Sequence, residues 1–208
     1  PAPGAEPQVA ILRSTYGKDL FDYVRRLLQE HKLEVLGKRV LLKPNLVEFD
    51  PGTAINTRPV VVLAALQAFR DLGAADVKIA EGPGHRRCTL DLADAAGYFQ
   101  TIPGFEGIFT DLNLDEVVQT KLPRPAGDLE SLYLPATALG CDLLVSIPKM
   151  KTHHWVGATL GMKNLFGLVP GAVYGWPKNV LHWSGIDVSG VALNWVFPRL
   201  FTFVVGIE

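Results

Sequence analysis

Only two cysteines, Cys88 and Cys141, occur among the 208 residues, and they stand far apart with no CxxC pair. That excludes a cysteine zinc site and an iron–sulfur motif within the chain, and it leaves no disulfide framework to stabilise a small core. Two buried thiols are the expected arrangement. The chain also lacks an excess of either charge: 20 Lys and Arg face 21 Asp and Glu, with a pI near 6.6. No global field would therefore draw it onto nucleic acid or an anionic membrane surface. Long apolar runs are missing too. None reaches the roughly 18 residues of a transmembrane helix, because Gly, Pro or charge breaks each candidate. Glycine-rich nucleotide fingerprints are absent as well, since GATLGMKNLFG carries neither the Walker spacing nor GxGxxG after a strand.

A length of 208 residues suffices for one hydrophobic core. Apolar runs bounded by turn residues recur at Val9–Leu12, Val40–Leu42, Val77–Ala80, Gly107–Thr110, Leu143–Ile147 and Phe201–Val205, and each predicts a strand. Helical periodicity lies between them at Leu20–Gln29, Val60–Leu72, Leu90–Ala96 and Val188–Val196. Thr57 is placed to cap the second of these, with Pro59 near its first turn and Gly73 after its last, and Asp187 is placed to cap the fourth. Strand alternating with helix predicts an α/β fold, a mostly parallel sheet with helices on both faces. Leu122–Asp128, LPRPAGD, reads as a surface loop. Residues 1–8 read as a disordered leader, left after processing of an upstream region, and 9–208 as a single α/β domain. Both a cytoplasmic and an exported location stay open. The final FTFVVGIE would deliver the chain from a strand into a loop, so the sequence is expected to be part of a longer one.

In a parallel sheet, ligands bind beyond the carboxyl ends of the strands. The chemically unusual residues cluster there. Val40–Leu42 runs into Lys43-Pro44-Asn45, Val77–Ala80 into Glu81-Gly82-Pro83-Gly84-His85-Arg86-Arg87, and Leu143–Ile147 into Lys149-Met150-Lys151-Thr152-His153-His154. Lys43, Arg58, Arg86, Lys149, Lys151 and Lys163 would make that edge locally positive and suit it to a phosphate or carboxylate. The glycines would let backbone N–H groups approach an anion, or would simply permit tight turns. His85, His153, His154 and His182 lie in the same regions, where neutral imidazole offers a metal ligand or an acid/base group.

At these residues the chain resembles a known family. KPNLVE at Lys43–Glu48, NTRPVVVLAAL at Asn56–Leu66 and PKMKTHHWVGATLGMKNLFG at Pro148–Gly167 resemble the bacterial and archaeal domain of unknown function 362 across nearly the whole chain. Some members of that family carry an attached ferredoxin-like cluster domain. A more distant similarity reaches the amino-terminal domain of the nickel-pincer lactate racemase family. It rests on Thr57-Arg58-Pro59 opening a helix, on a strand leading into Gly82 to Arg86, and on His153 ten residues before Lys163. Pro170-Gly171 follows, with His182 twelve residues beyond that proline. The resemblance implies that Lys163 attaches or holds a cofactor, that His182 binds its metal, and that His85 and His153 form an acid/base pair. His154 would replace His153 if the register moved by one. Gly161-Met162-Lys163 departs from the family's Gly-Arg-Lys, and no second domain to close the cleft is visible in the sequence.

Three readings follow. The first is a racemase- or isomerase-like enzyme with a nickel-pincer-like or other metal cofactor and a small anionic substrate. The second is an anion-binding or electron-transfer module that works with an iron–sulfur partner outside this chain. The third is structural, with the lysines of the KTHH segment paired to Glu48, Glu81 or Asp142.

Overall fold

In the computed structural model, residues 8–84, 88–153, 156–176, 178–183 and 185–207 are described, the side chains of Asn179 and Trp183 excepted. Apart from Gln8, the expected leader lies outside them. The chain runs α1 (Leu20–Glu30), β1 (Arg39–Pro44), α2 (Pro59–Asp71), β2 (Asp76–Glu81), α3 (Thr89–Ala95), α4 (Tyr98–Thr101), α5 (Phe105–Ile108), β3 (Phe109–Asp111), β4 (Val117–Ala126) and β5 (Leu129–Pro135). It continues through α6 (Ala136–Leu139), β6 (Leu143–Ile147), β7 (Lys151–His153), β8 (Gly157–Thr159), α7 (Gly161–Asn164), a 3₁₀ turn (Leu165–Leu168), α8 (Gly171–Tyr174), α9 (Asn179–Trp183), α10 (Ile186–Val196) and β9 (Leu200–Thr202).

The main sheet has the order β3-β2-β1-β6-β9, and every pair in it is parallel. Side chains of a strand alternate between faces, and here the alternation divides the core in two. Val40, Leu42, Val77, Ile79, Leu143, Val145 and Ile147 join the cluster formed with α1, α2 and α3. Leu41, Ala80 and Leu144 join the opposite cluster, with the β4–β5 hairpin, α9 and α10. β6 is buried at all five positions, as expected of a strand covered on both sides.

Pro at the first position of α2 supplies a fixed φ where no N–H is needed. The expected N-caps differ from those found. Arg58 occupies that position for α2 and Gly185 for α10. Thr57 points its hydroxyl instead to the sheet, donating to Ile147 O at 2.6 Å. Val9–Leu12 forms no strand: its apolar residues Val9 and Ile11 are 84% and 91% exposed, so no sheet neighbour repays an extended pairing. LPRPAGD is not a loop throughout, because Leu122–Ala126 belongs to β4 and the hairpin turns at Gly127. Leu122 and Ala126 face the core there, and the prolines fall where the register of the ladder shifts. Cys88 is exposed and Cys141 half-buried, so the paired burial expected of the thiols does not occur.

Candidate functional site at the strand switch point

β1 is followed by β2 on one side of it, and β6 adds to its other side. Such a reversal opens a crevice at the carboxyl ends of the two central strands. Thr57 spans it: its hydroxyl accepts from Asn45 N–H at 2.9 Å and donates to Ile147 O, tying the end of β1 to the end of β6. Its own N–H donates to Asn45 O at 2.9 Å, and Tyr98 Oη donates to Thr57 O at 2.7 Å.

Beneath the crevice lies a closed polar network. Lys43 and Glu81 form an ion pair at 2.6 Å with side-chain exposures of 0% and 2%. The other two N–H of Lys43 reach Pro44 O at 3.0 Å and Asn164 Oδ1 at 3.3 Å, so all three are used inside the protein. Glu81 also accepts from Leu46 N–H at 3.3 Å and Gly82 N–H at 3.0 Å. Asn164 donates to Lys43 O at 3.1 Å and to Ser146 Oγ at 3.0 Å. It thereby clamps α7, which carries Lys163, to β1 and β6. A Cβ on Gly167 would run into Glu81 Oε1 and Lys43 Nζ, so the glycine there permits close approach.

Lys163 and His182 meet on one ring. Lys163 Nζ lies 4.5 Å from the Phe166 centroid, and the imidazole of His182 lies 5.3 Å from it. His182 Nδ1 lies 2.9 Å from Lys178 O; a carbonyl can only accept, so Nδ1 is the donor in that contact. Burial, then the Lys43 charge, pulls the Lys163 amine down to about 8, with Glu81 opposing. Lys151, which donates to Ile55 O at 2.7 Å, is lowered to about 8 by burial, while Glu81 opposes and Lys163 and Lys43 add to the fall. Lys178 is buried, donates to Gly82 O at 2.6 Å and Phe166 O at 2.8 Å, and is lowered by burial to about 7.

Of the other expected residues, Lys151 stands near enough to Lys163 to feel its charge. Arg58 is exposed at the start of α2, its guanidinium 4.7 Å from the Tyr16 centroid. Tyr16 Oη donates to Ile207 O at 2.7 Å, and buried Lys149 donates to the same carbonyl. Lys149 and Lys151 line an open cavity of about 660 Å³ with Ala54, Met150, Thr152, Ala158 and Gly206. His153 ends β7, two residues beyond Lys151 and so on the same face of that strand. His85, Arg86 and His154 lie outside the described residues. Of the carboxylates expected to pair with the KTHH lysines, Glu81 instead holds Lys43 and Asp142 holds Arg39 at 3.0 Å. Sequence reasoning missed Asn164, Ser146, Phe166 and Lys178. Their types are ordinary in any chain, and only the fold brings them under the crevice.

The fold is that of an α/β protein resembling lactate racemase: superposition on the lactate racemase apoprotein from Thermoanaerobacterium thermosaccharolyticum gives a TM-score of 0.57 at 20% identity, over 94% of this chain and 51% of that one. The chain belongs to the family of the domain of unknown function DUF362, whose model matches residues 40–208. It is also 31% identical over 141 residues to the thylakoid-associated protein sll1697 of Synechocystis sp., covering 67% of this chain and 42% of that protein. The chain thus spans less than half the length of that relative and about half that of the racemase. No helix among the described residues is long and apolar enough to cross a membrane.

Proposed function

We propose that the chain forms the cofactor-holding part of an enzyme of racemase or isomerase type, acting on a small anionic substrate in the crevice at the ends of β1 and β6. The observation that carries this reading is the pair of Lys163 and His182 on the single ring of Phe166.

An amine lowered to about 8 is partly neutral at physiological pH. The neutral form bonds to an acyl carbon, and the ammonium form holds a phosphate. A neutral imidazole suits nickel, zinc or iron. A bare ion needs about four ligands, and no group of three His, Cys, Asp or Glu converges among the described residues. One amine and one imidazole would suit a metal that arrives already held by an organic group, which Lys163 would fasten and His182 would help to hold. When bound, such a group would supply electrophilic chemistry that these side chains lack.

The remaining roles belong to the protein. His153, with His85, takes and returns a proton. Arg58 and Lys151, with Lys149 and Arg86, draw the substrate or cofactor anion to the edge of the crevice. Lys43 and Glu81 support Lys163 from beneath, through Asn164.

The test is intact mass and metal content of the full-length protein purified from its native host. Stoichiometric metal and added mass on the peptide containing Lys163 are expected, with both lost in Lys163→Ala. A bare, metal-free wild-type protein, or a variant that keeps its load, refutes the reading.

A further inference from the structure

On the side of the sheet covered by the β4–β5 hairpin and α10, an open groove of about 330 Å³ runs between the two. The hairpin lends it Pro125 and Gly127, and α10 lends it Asp187, Val188, Val191 and Trp195. Its walls are mostly apolar and its two ends differ in charge. At one end Asp187 is exposed. A Cβ on Gly127 would touch Val188 at 3.6 Å, which sets the hairpin turn, and exposed Asp128 after it, beside the start of α10. At the other end the guanidinium of Arg124 lies 4.0 Å from the centroid of Trp195.

The same chain carries a segment with the complementary features. Val9 and Ile11 stand out in solvent ahead of α1. Between residues 11 and 16 exposure alternates as it does along a strand: Ile11, Arg13 and Thr15 are exposed, whereas Leu12, Ser14 and Tyr16 are half-buried. Tyr16 anchors the segment through its bond to Ile207 O and the guanidinium of Arg58 over its ring. The alternation, continued back from that anchor, gives Val9, Ile11 and Arg13 one outward face. The four ion pairs among the described residues include neither Arg13 nor Asp187.

We propose that residues 9–13 of one molecule dock in the α10 groove of a second copy, with Arg13 on Asp187 and with Ile11 and Val9 on Val188, Val191 and Trp195, and that two such arms exchanged reciprocally make a dimer. The inference is independent of the proposed function.

Length and charge both match. Val9 and Arg13 are four residues apart, about 13 Å in an extended segment; Asp187 and Trp195 are eight apart, about 12 Å along a helix. Arg13 is attracted by Asp187 and Asp128 and repelled by Arg124, so the arm runs antiparallel to α10 and brings Val9 to Trp195. The arm does not serve its own groove. Tyr16 packs on the cluster formed with α1 and α2, whereas α10 belongs to the cluster on the opposite face of the sheet. Arg13, three residues from Tyr16, reaches at most about 11 Å from it, short of the roughly 20 Å between layers packed on the two faces of a sheet. A second copy supplies the groove that the first cannot reach, and reciprocal exchange closes the assembly on a two-fold axis.

Sedimentation equilibrium of the full-length protein from about 1 to 200 μM, the range in which so small an interface associates, makes the test. The wild type is expected to pass from monomer to dimer. Ile11→Asp puts a charge where an aliphatic side chain is to be buried and should raise the dissociation constant roughly tenfold or more. Because Ile11 is exposed in the monomer, the thermal midpoint at low concentration should not change. Arg13→Glu and Asp187→Arg should each weaken the dimer severalfold. An equimolar mixture of those two variants should associate about as tightly as the wild type, since each arm then meets a groove of opposite charge; a surface that is merely adhesive gives no such rescue. A wild type that stays monomeric throughout, a dimer indifferent to Ile11→Asp, or a mixture no tighter than its components would each overturn the proposal.

Discussion

Replacing Glu81 by alanine isolates how the site is supported. At 2.6 Å the Lys43–Glu81 attraction is about 6 kcal/mol for an effective dielectric near 20. Desolvation of each ion costs several kcal/mol, so the intact pair contributes little net stability. Removing one partner is different. Glu81→Ala strands a fully buried ammonium and deprives Leu46 N–H and Gly82 N–H of their acceptor, for a loss of about 5 kcal/mol. Lys43→Met leaves the carboxylate with both of those N–H donors and should cost nearer 3 kcal/mol. Lys43→Met with Glu81→Leu leaves no charge behind and should be more stable than Glu81→Ala alone. Urea unfolding followed by circular dichroism at pH 7, with the slope checked for two-state behaviour, measures all three. If Glu81→Ala cost less than about 1 kcal/mol, or less than Lys43→Met, the pair would not be the buried support described, and the reasoning would fail.

Three further outcomes are expected. Gly167→Ala forces a methyl group against Glu81 and Lys43; it should destabilise by roughly 3 kcal/mol in the same assay, and a change near zero would mean that the segment after α7 is free to move. Lys151 and Lys163 at about 8 and Lys178 at about 7 lie below the ordinary lysine value of 10.5, so between pH 7 and that value the unfolded chain holds more protons than the folded one. Stability should therefore rise from pH 7 to pH 9, and the rate of Lys163 acylation by acetic anhydride should reach half its maximum near pH 8. A urea midpoint that falls over this interval contradicts the burial assigned to these amines.

The helices and central strands were legible because their periodicity is a local property. Val61, Val62, Ala65, Leu66 and Phe69 mark the buried stripe of α2, and the apolar run of β6 is what a doubly covered strand requires. The hairpin was less legible, because prolines at a register shift look like a loop to any local rule. At the site, the edge on which the loops gather followed from the alternation of strand and helix, which makes the sheet parallel and puts the loops at its carboxyl end. The division of labour among its lysines did not. Lys43, Lys151 and Lys178 have the same side chain, yet one is neutralised by Glu81, one bridges to a loop carbonyl and one is held between two carbonyls. That difference is set by partners up to 121 positions away in sequence. Thr57 shows the same limit: the residue was singled out, but its hydroxyl serves the strand ends rather than the helix.

The placement of β6 beside β1 also governs the order in which the molecule assembles. Val40 pairs with Leu143, so the centre of the sheet closes only across a loop of about a hundred residues, a slow and entropically costly step in folding. On the ribosome, β1 and β2 emerge long before their neighbour, and Glu81 can meet Lys43 well before Asn164 exists to complete the network. The crevice is therefore a late product of folding. Until α7 has docked, Lys163 has no fixed place, so loading of the kind proposed above would follow folding rather than guide it.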